Sequence, residues 1–224
     1  MSSAIPPKKK RVIAFIDGYN LYHAMDDAGR HDLKWLNLWE LCEALIRSDT
    51  RAELVGVFYF SAFATWKPEQ YARHRQYVAA LKSAGVKTIL GNFKKKPRKC
   101  NRCLNEWTAH EEKESDVNIA IHLLDKAHGD EYDEALVLSA DTDLTPAIQM
   151  VRHKYKSKTI IAVLPPGRQY VGSLIDAANS KIRISFELLA KCQFVDQLTT
   201  ATGEVIKIPD KYRIKTAQNK NHLL

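Results

Sequence analysis

Cysteine is scarce in this chain, and its few copies are scattered. Of four in 224 residues, only Cys100 and Cys103 stand close together, which is no disulfide framework for a chain of this length. No apolar run approaches the ~20 residues needed to cross a bilayer. The N-terminus lacks the apolar core of a secretory signal, because Pro6-Pro7-Lys8-Lys9-Lys10-Arg11 leads straight into a strand-like run. These absences predict a protein of the reducing cytoplasm with no membrane association. Phosphate-cradling loops of the G-x-x-x-x-G-K-[ST] or G-x-G-x-x-G type are missing, as are H-E-x-x-H, a Ser-His-Asp order and a cysteine–histidine nucleophile pair. The eight histidines have no ligand spacing and read as surface or packing residues. No internal repeat is visible. Acidic charge is also the minority sign: 26 Asp and Glu face 34 Lys and Arg, for a net charge of +8. Such an excess favours polyanionic partners but says nothing of fold.

What is present suffices for one packed domain: 45% of residues are hydrophobic and four are tryptophan. Short apolar runs at residues 12–17, 54–60, 87–90, 136–139, 159–164 and 182–184 have the length and punctuation of buried strands. Helical patterns occupy 21–27, 36–47, 69–83, 115–128, 144–154, 171–178 and 186–190. On the 115–128 helix, Val117, Ile121 and Leu124 are read as the inward face. Gly91 is read as the breaker that ends the third strand. Strands alternating with helices predict a parallel sheet between two helical layers, the three-layer α/β/α class. The expected organisation is a basic N-terminal extension over 1–11, a domain over 12–195 with a basic loop insertion at 94–112, and a basic tail over 196–224. Pro7-Lys8-Lys9-Lys10-Arg11 also has the look of a nuclear import signal, but its continuation into the first strand favours a solvated charge run.

The acidic residues carry the chemistry. Asp17 ends the first strand, Asp141 and Asp143 follow the fourth, and Asp116 lies in the first turns of the helix between. Open parallel sheets build their sites at the carboxyl ends of strands. Any one of these aspartates alone reads as a helix cap. Several brought to one edge repel one another, yet suit a hard divalent cation that takes oxygen ligands, one ion or two about 4 Å apart. Asn20, one short turn past Asp17, offers a neutral oxygen or an amide donor. In a basic chain, this pattern points to a nucleic acid handled through metal.

Three stretches carry a family resemblance. Ile13-Ala14-Phe15-Ile16-Asp17-Gly18-Tyr19-Asn20 resembles the opening strand and D-G-x-N motif of the NYN domains, the bacterial branch of the PIN-like ribonucleases. Glu112-Lys113-Glu114-Ser115-Asp116-Val117 resembles their E-K-x-x-D-V motif, and Leu138-Ser139-Ala140-Asp141-Thr142-Asp143-Leu144 their S-G-D-S-D-F motif. The order is the family's, over residues 12 to about 184. The resemblance implies a PIN-like fold with strand order 3-2-1-4-5. It also implies a Mg²⁺- or Mn²⁺-dependent endoribonuclease whose metal ligands and catalytic carboxylates are Asp17, Asp116, Asp141 and Asp143, with Asn20 and Ser139 in support. RNA is the expected substrate and single-stranded DNA a second candidate. Ala140 departs from the family's glycine, which is tolerable if the backbone there is not left-handed. The rival class is a nucleic-acid-binding or scaffold protein with a residual acidic pocket, against which stands the completeness of the carboxylate set.

Other motifs compete less well. Asp141-Thr142-Asp143-Leu144-Thr145 also spells the D-x-D-x-T of haloacid-dehalogenase-like phosphatases, but it lies far from the first strand and leaves Asp17 and Asp116 unexplained. Cys100, Cys103 and His110 have the spacing of part of a structural Zn²⁺ site, one ligand short; the opposing reading is a reduced pair in a basic loop. Lys94, Lys95, Lys96, Arg98 and Lys99, with Trp107 beyond, combine charge and an aromatic ring as single-strand binders do. Lys113 and Ser139 are further candidate nucleic-acid contacts, Lys113 having the alternative of pairing with Glu111 or Glu114.

Overall fold

The computed structural model describes residues 8–168 and 172–213. Seven strands form one sheet: β1 (Lys10–Asp17), β2 (Ala52–Ala62), β3 (Lys87–Lys99), β4 (Glu106–Lys113), β5 (Glu134–Leu138), β6 (Thr159–Leu164) and β7 (Ser180–Arg183). Their order is β4-β3-β2-β1-β5-β6-β7, and every pairing is parallel except that of β3 with β4. The five-strand order expected from the sequence thus lies inside a wider sheet. The expectation was incomplete at both edges, lacking antiparallel β4 and placing no neighbour for the short β7.

Period-two alternation divides the core between the two faces. Val12, Ala14 and Ile16 of β1 point to one cluster, while Ile13 and Phe15 point to the other. The first face is covered by α1 (Gly18–Asp27), α2 (Leu38–Ile46), α3 (Pro68–Ser83) and α7 (Phe186–Lys191), through residues such as Leu21, Leu41, Leu81 and Leu189. The second is covered by α4 (Ser115–His128), α5 (Thr145–Lys154) and α6 (Gly172–Ala177), through Ile119, Leu123, Ile148 and Leu174. On α4 the inward set is therefore Ile119, Leu123 and Ala127. Val117 and Ile121, expected inside, are 60% and 55% exposed. Both sets have helical spacing, and the choice falls to the set nearest the second-face cluster.

Three further expectations change. β3 does not stop at Gly91: it pairs with β2 only as far as Gly91 and then continues with β4 as a hairpin that outruns the sheet. A Cβ on Gly91 would lie 2.5 Å from the Lys113 carbonyl oxygen, so this glycine permits close backbone approach and does not break the strand. Residues 94–112 are accordingly a two-stranded arm closed by a turn, where Cys100 N–H donates to Asn105 O at 2.8 Å. At the N-terminus, Lys10 and Arg11 belong to β1; Lys10 pairs with Glu134 at 2.7 Å and Arg11 with Asp133 at 2.8 Å. At the other end, β8 (Gln197–Thr199) and β9 (Val205–Lys207) pair, and Ile206, Ile208 and Tyr212 are buried in the first-face core, so the tail up to there is part of the domain. The remainder of the basic tail and Met1–Pro7 lie outside the described residues. Among the described residues no helix is long and apolar enough to cross a membrane.

Candidate metal centre at the carboxyl edge of the sheet

The chain winds outward from β1 to β2 and β3, then returns to β5 on the other side of β1. That reversal leaves a crevice between the ends of β1 and β5, and the motif aspartates surround it. Asp17 ends β1 and caps α1. Its Oδ1 accepts from the Asn20 N–H at 3.0 Å, and its Oδ2 accepts from Asn20 Nδ2 at 2.8 Å and from Ser139 Oγ at 2.9 Å. Gly18 follows because nothing larger fits: a Cβ there would stand 2.5 Å from the Tyr59 ring and 2.7 Å from the Phe60 carbonyl oxygen.

The hydrogen bonds continue across the crevice. Ser139 Oγ accepts from the Asp141 N–H at 3.0 Å, and Asn20 Oδ1 accepts from the Ala140 N–H at 3.2 Å. Asp141 in turn caps the turn over Thr142–Leu144 by accepting from the Asp143 N–H at 2.9 Å. The residue at 140 has no left-handed backbone, so alanine replaces the family's glycine without strain. One network therefore ties the end of β1 to the segment after β5. It holds Asp17 almost wholly buried, 3% exposed.

Asp116, Asp141 and Asp143 each present a carboxylate oxygen, all within 4.8 Å of one another. Burial raises the Asp116 carboxyl to about 6, with the charges of Asp141, Asp17 and Asp143 adding to the shift. Burial also pushes Asp17 upward against the three hydrogen bonds it accepts, with Asp141 adding repulsion. Glu112, at the end of β4, joins them: burial first, then Asp17 and Asp116, raise it to about 7, while Ser115 Oγ donates to it and opposes the rise. Carboxylate oxygens crowded together, with Asp17, Glu112 and Asp116 pushed upward by burial and by their neighbours' charges, fit a hard divalent cation, whose charge would remove the repulsion.

The sequence candidates are thus sorted. Asp116, Asp141 and Asp143 converge, and Asp17 sits electrostatically against them with both oxygens already bonded. Asn20 donates through Nδ2 to Asp17 and accepts through Oδ1 from Ala140, and so positions Asp17. Ser139, read as a nucleic-acid contact, is 0% exposed, so it cannot reach a ligand and serves the network. Glu112 was named only as a motif letter; the period-two alternation of β4 could have flagged it, had the 94–112 stretch been read as strands. Lys113 pairs with Glu111 at 3.0 Å. Lys96 and Arg98 converge on the same Glu111, at 2.9 and 2.8 Å, and Lys99 pairs with Glu106 at 2.9 Å. Lys94 and Lys95 have no ion-pair partner among the described residues. Trp107 is exposed opposite Arg98. The zinc trio does not assemble: Cys100 and Cys103 sit at the hairpin turn, whereas His110 pairs with Lys95 in the ladder, five residues or about 17 Å from the turn. All four cysteines are free thiols.

Comparison with known proteins gives three findings. The sequence profile described as NYN domain matches residues 11–185. A curated relative, the 6-hydroxy-3-succinoylpyridine 3-monooxygenase of Pseudomonas putida, is 27% identical over 187 residues, which cover 68% of this chain and 59% of that protein. The chain thus spans about three-fifths of that relative's length. A solved structure of a Vibrio parahaemolyticus protein of unknown function superposes with a TM-score of 0.55 at 20% identity, covering 82% of this chain and 98% of that one. At that identity the likeness is one of fold.

Proposed function

Because the chain belongs to the NYN domain family, whose members are generally nucleases, we propose that it is a divalent-metal-dependent endoribonuclease that hydrolyses RNA phosphodiester bonds. The observation that carries the reading is the convergence of Asp116, Asp141 and Asp143 within 4.8 Å beside buried Asp17. Those three carboxylates would hold Mg²⁺ or Mn²⁺. When bound, the ion would supply Lewis acidity at the phosphate and lower the pKa of water. Asp17 adds charge to the centre and, through Asn20 and Ser139, fixes the β1 and β5 ends relative to each other. Glu112, within reach of the Asp17 and Asp116 charges, adds a further carboxylate to the edge of the centre. Among the described residues, the serines bonded to these carboxylates, Ser115 and Ser139, are buried, which supports direct attack by water.

The monooxygenase activity of the Pseudomonas relative belongs to a longer protein at 27% identity, and the carboxylate cluster gives it no support here. A single-stranded RNA labelled at its 5′ end, incubated with the full chain, tests the reading. Fragments should form with Mg²⁺ or Mn²⁺, vanish in EDTA and return when metal is restored. RNA that is bound but never cut under any metal would favour the rival, a binding protein with a residual acidic pocket.

A further inference from the structure

A second feature adjoins the carboxylates and is not used by them. The β3–β4 arm is basic, but its two faces differ. Strand alternation puts Lys94, Lys96 and Arg98 on one face, where Lys96 and Arg98 are held by Glu111. Phe93, Lys95, His110 and Glu112 share the other face, with Phe93 opposite Glu112 and Lys95 opposite His110 in the ladder. Trp66, from the segment between β2 and α3, meets this face. Its ring stacks on His110 at 3.7 Å and 9°, and Phe93 meets it edge-on at 4.6 Å. Tyr19, two residues past Asp17, closes on Phe93 from the other side at 5.8 Å.

Trp66, Phe93 and His110 line an open groove of about 500 Å³ bounded also by Phe63, Asn92 and Lys95. One of its walls, Phe93, is the ladder partner of Glu112. Lys95 stands two residues, or about 7 Å, further along, without an ion-pair partner among the described residues. An aromatic wall beside an unpaired cation is the arrangement that holds single strands: rings take bases by stacking and the cation takes the backbone. Its charge is complementary to a phosphate chain, and its Phe93 stands opposite Glu112 in the ladder, four residues before Asp116.

We propose that the groove between Trp66, Phe93 and Lys95 is a base-stacking subsite that takes one unpaired nucleobase of a single-stranded RNA, with Lys95 on the adjoining phosphate, next to the phosphodiester presented to the carboxylates. The assignment rests on the ribonuclease reading and adds to it a selection for unpaired over paired RNA, because a base within a duplex has no free face to offer.

Binding of a fluorescent RNA octamer to the full chain in EDTA separates the possibilities. Trp66→Leu should weaken binding about five- to a hundredfold, the range for losing one stacked base, and leave a duplex of the same sequence unaffected. An octamer carrying an abasic nucleotide, moved along the strand, should show one position where wild type loses a similar factor and Trp66→Leu loses nothing further. That coupling is one that a purely structural Trp66 would not produce. Equal binding by wild type and Trp66→Leu, or an abasic effect that persists undiminished in the variant, overturns the subsite while metal-dependent cleavage stands. A wild-type chain that neither binds nor cuts single-stranded RNA overturns the ribonuclease reading and the subsite together.

Discussion

Replacing Asp116 by Asn should stabilise the metal-free protein at neutral pH. The displacement of its carboxyl from an ordinary 3.8 to about 6 corresponds to about 3 kcal/mol at ~1.4 kcal/mol per unit. Asp116 is only half-buried, and screening reduces that figure to about 1–2 kcal/mol. The α4 dipole favours a charge in its first turn by about 0.3–1 kcal/mol, which Asn forfeits. The net gain is about 1 kcal/mol, or roughly 2–4 °C in a domain of this size. A carboxyl raised by folding binds more protons folded than unfolded, so its contribution is intact below pH ~4 and is lost as pH climbs through about 6. The advantage of Asp116→Asn should therefore be absent near pH 4 and complete by pH 7.5. Buried His74, pulled down to about 4, gives the opposite slope but is common to the two proteins and cancels, whereas Glu112, raised by burial and in part by the Asp116 charge, relaxes in the variant and adds to the difference in the same direction. Thermal unfolding in EDTA at a series of pH values reads the difference. A variant less stable than wild type at pH 7.5, or a difference independent of pH, would refute the repulsion argument. Saturating Mn²⁺ should reverse the ranking, since an ion at 100 times its Kd adds about 2.7 kcal/mol to the protein that binds it.

Other consequences follow from the same contacts. Gly18→Ala forces a methyl to 2.5 Å from the Tyr59 ring and should cost about 1–3 kcal/mol in urea unfolding; a neutral result would mean that β2 yields there. Ser139→Ala removes a buried hydroxyl that serves Asp17 and Asp141, and should lose about 1–3 kcal/mol in the same assay. Replacing Lys94 and Lys95 together should flatten the slope of log affinity for single-stranded RNA against log salt by about 1.4, at ~0.7 per contact. Replacing Lys96 and Arg98, which share the single charge of Glu111 with Lys113, should flatten it less. Equal effects of the two pairs would show that the Glu111 pairings give way on binding.

The parallel core was legible because buried strands are contiguous apolar runs and their carboxylates stand at the run ends: Asp17, Asp141 and Asp143 could be placed from pattern alone. Asp116 could be placed because α4 begins at Ser115 as read. The β3–β4 arm was not legible. Its strands are almost wholly polar, so no apolar alternation marks them, and Gly91 imitates a terminator while admitting the Lys113 carbonyl. That one misreading concealed Glu112, which pattern places at a loop end and the ladder places opposite Phe93, within reach of the Asp17 charge. It also set His110 near the cysteines in sequence, although the hairpin carries it to Trp66. The α4 face failed for a different reason, since Val117 and Ile121 have the same helical spacing as Ile119 and Leu123. Ser139 needed depth, which motif position does not encode.

The central claim is that the carboxylate cluster cuts RNA through a bound cation, and Asp141→Asn tests it most directly. Asp141 neighbours both Asp116 and Asp143, and its Oδ1 caps the following turn, a bond the amide oxygen of Asn can still accept. The variant should therefore fold as wild type does, while cleavage of single-stranded RNA at saturating Mn²⁺ falls by about a hundredfold or more, the scale of losing one preorganised electrostatic group. Undiminished, metal-dependent cleavage by well-folded Asp141→Asn would contradict the account.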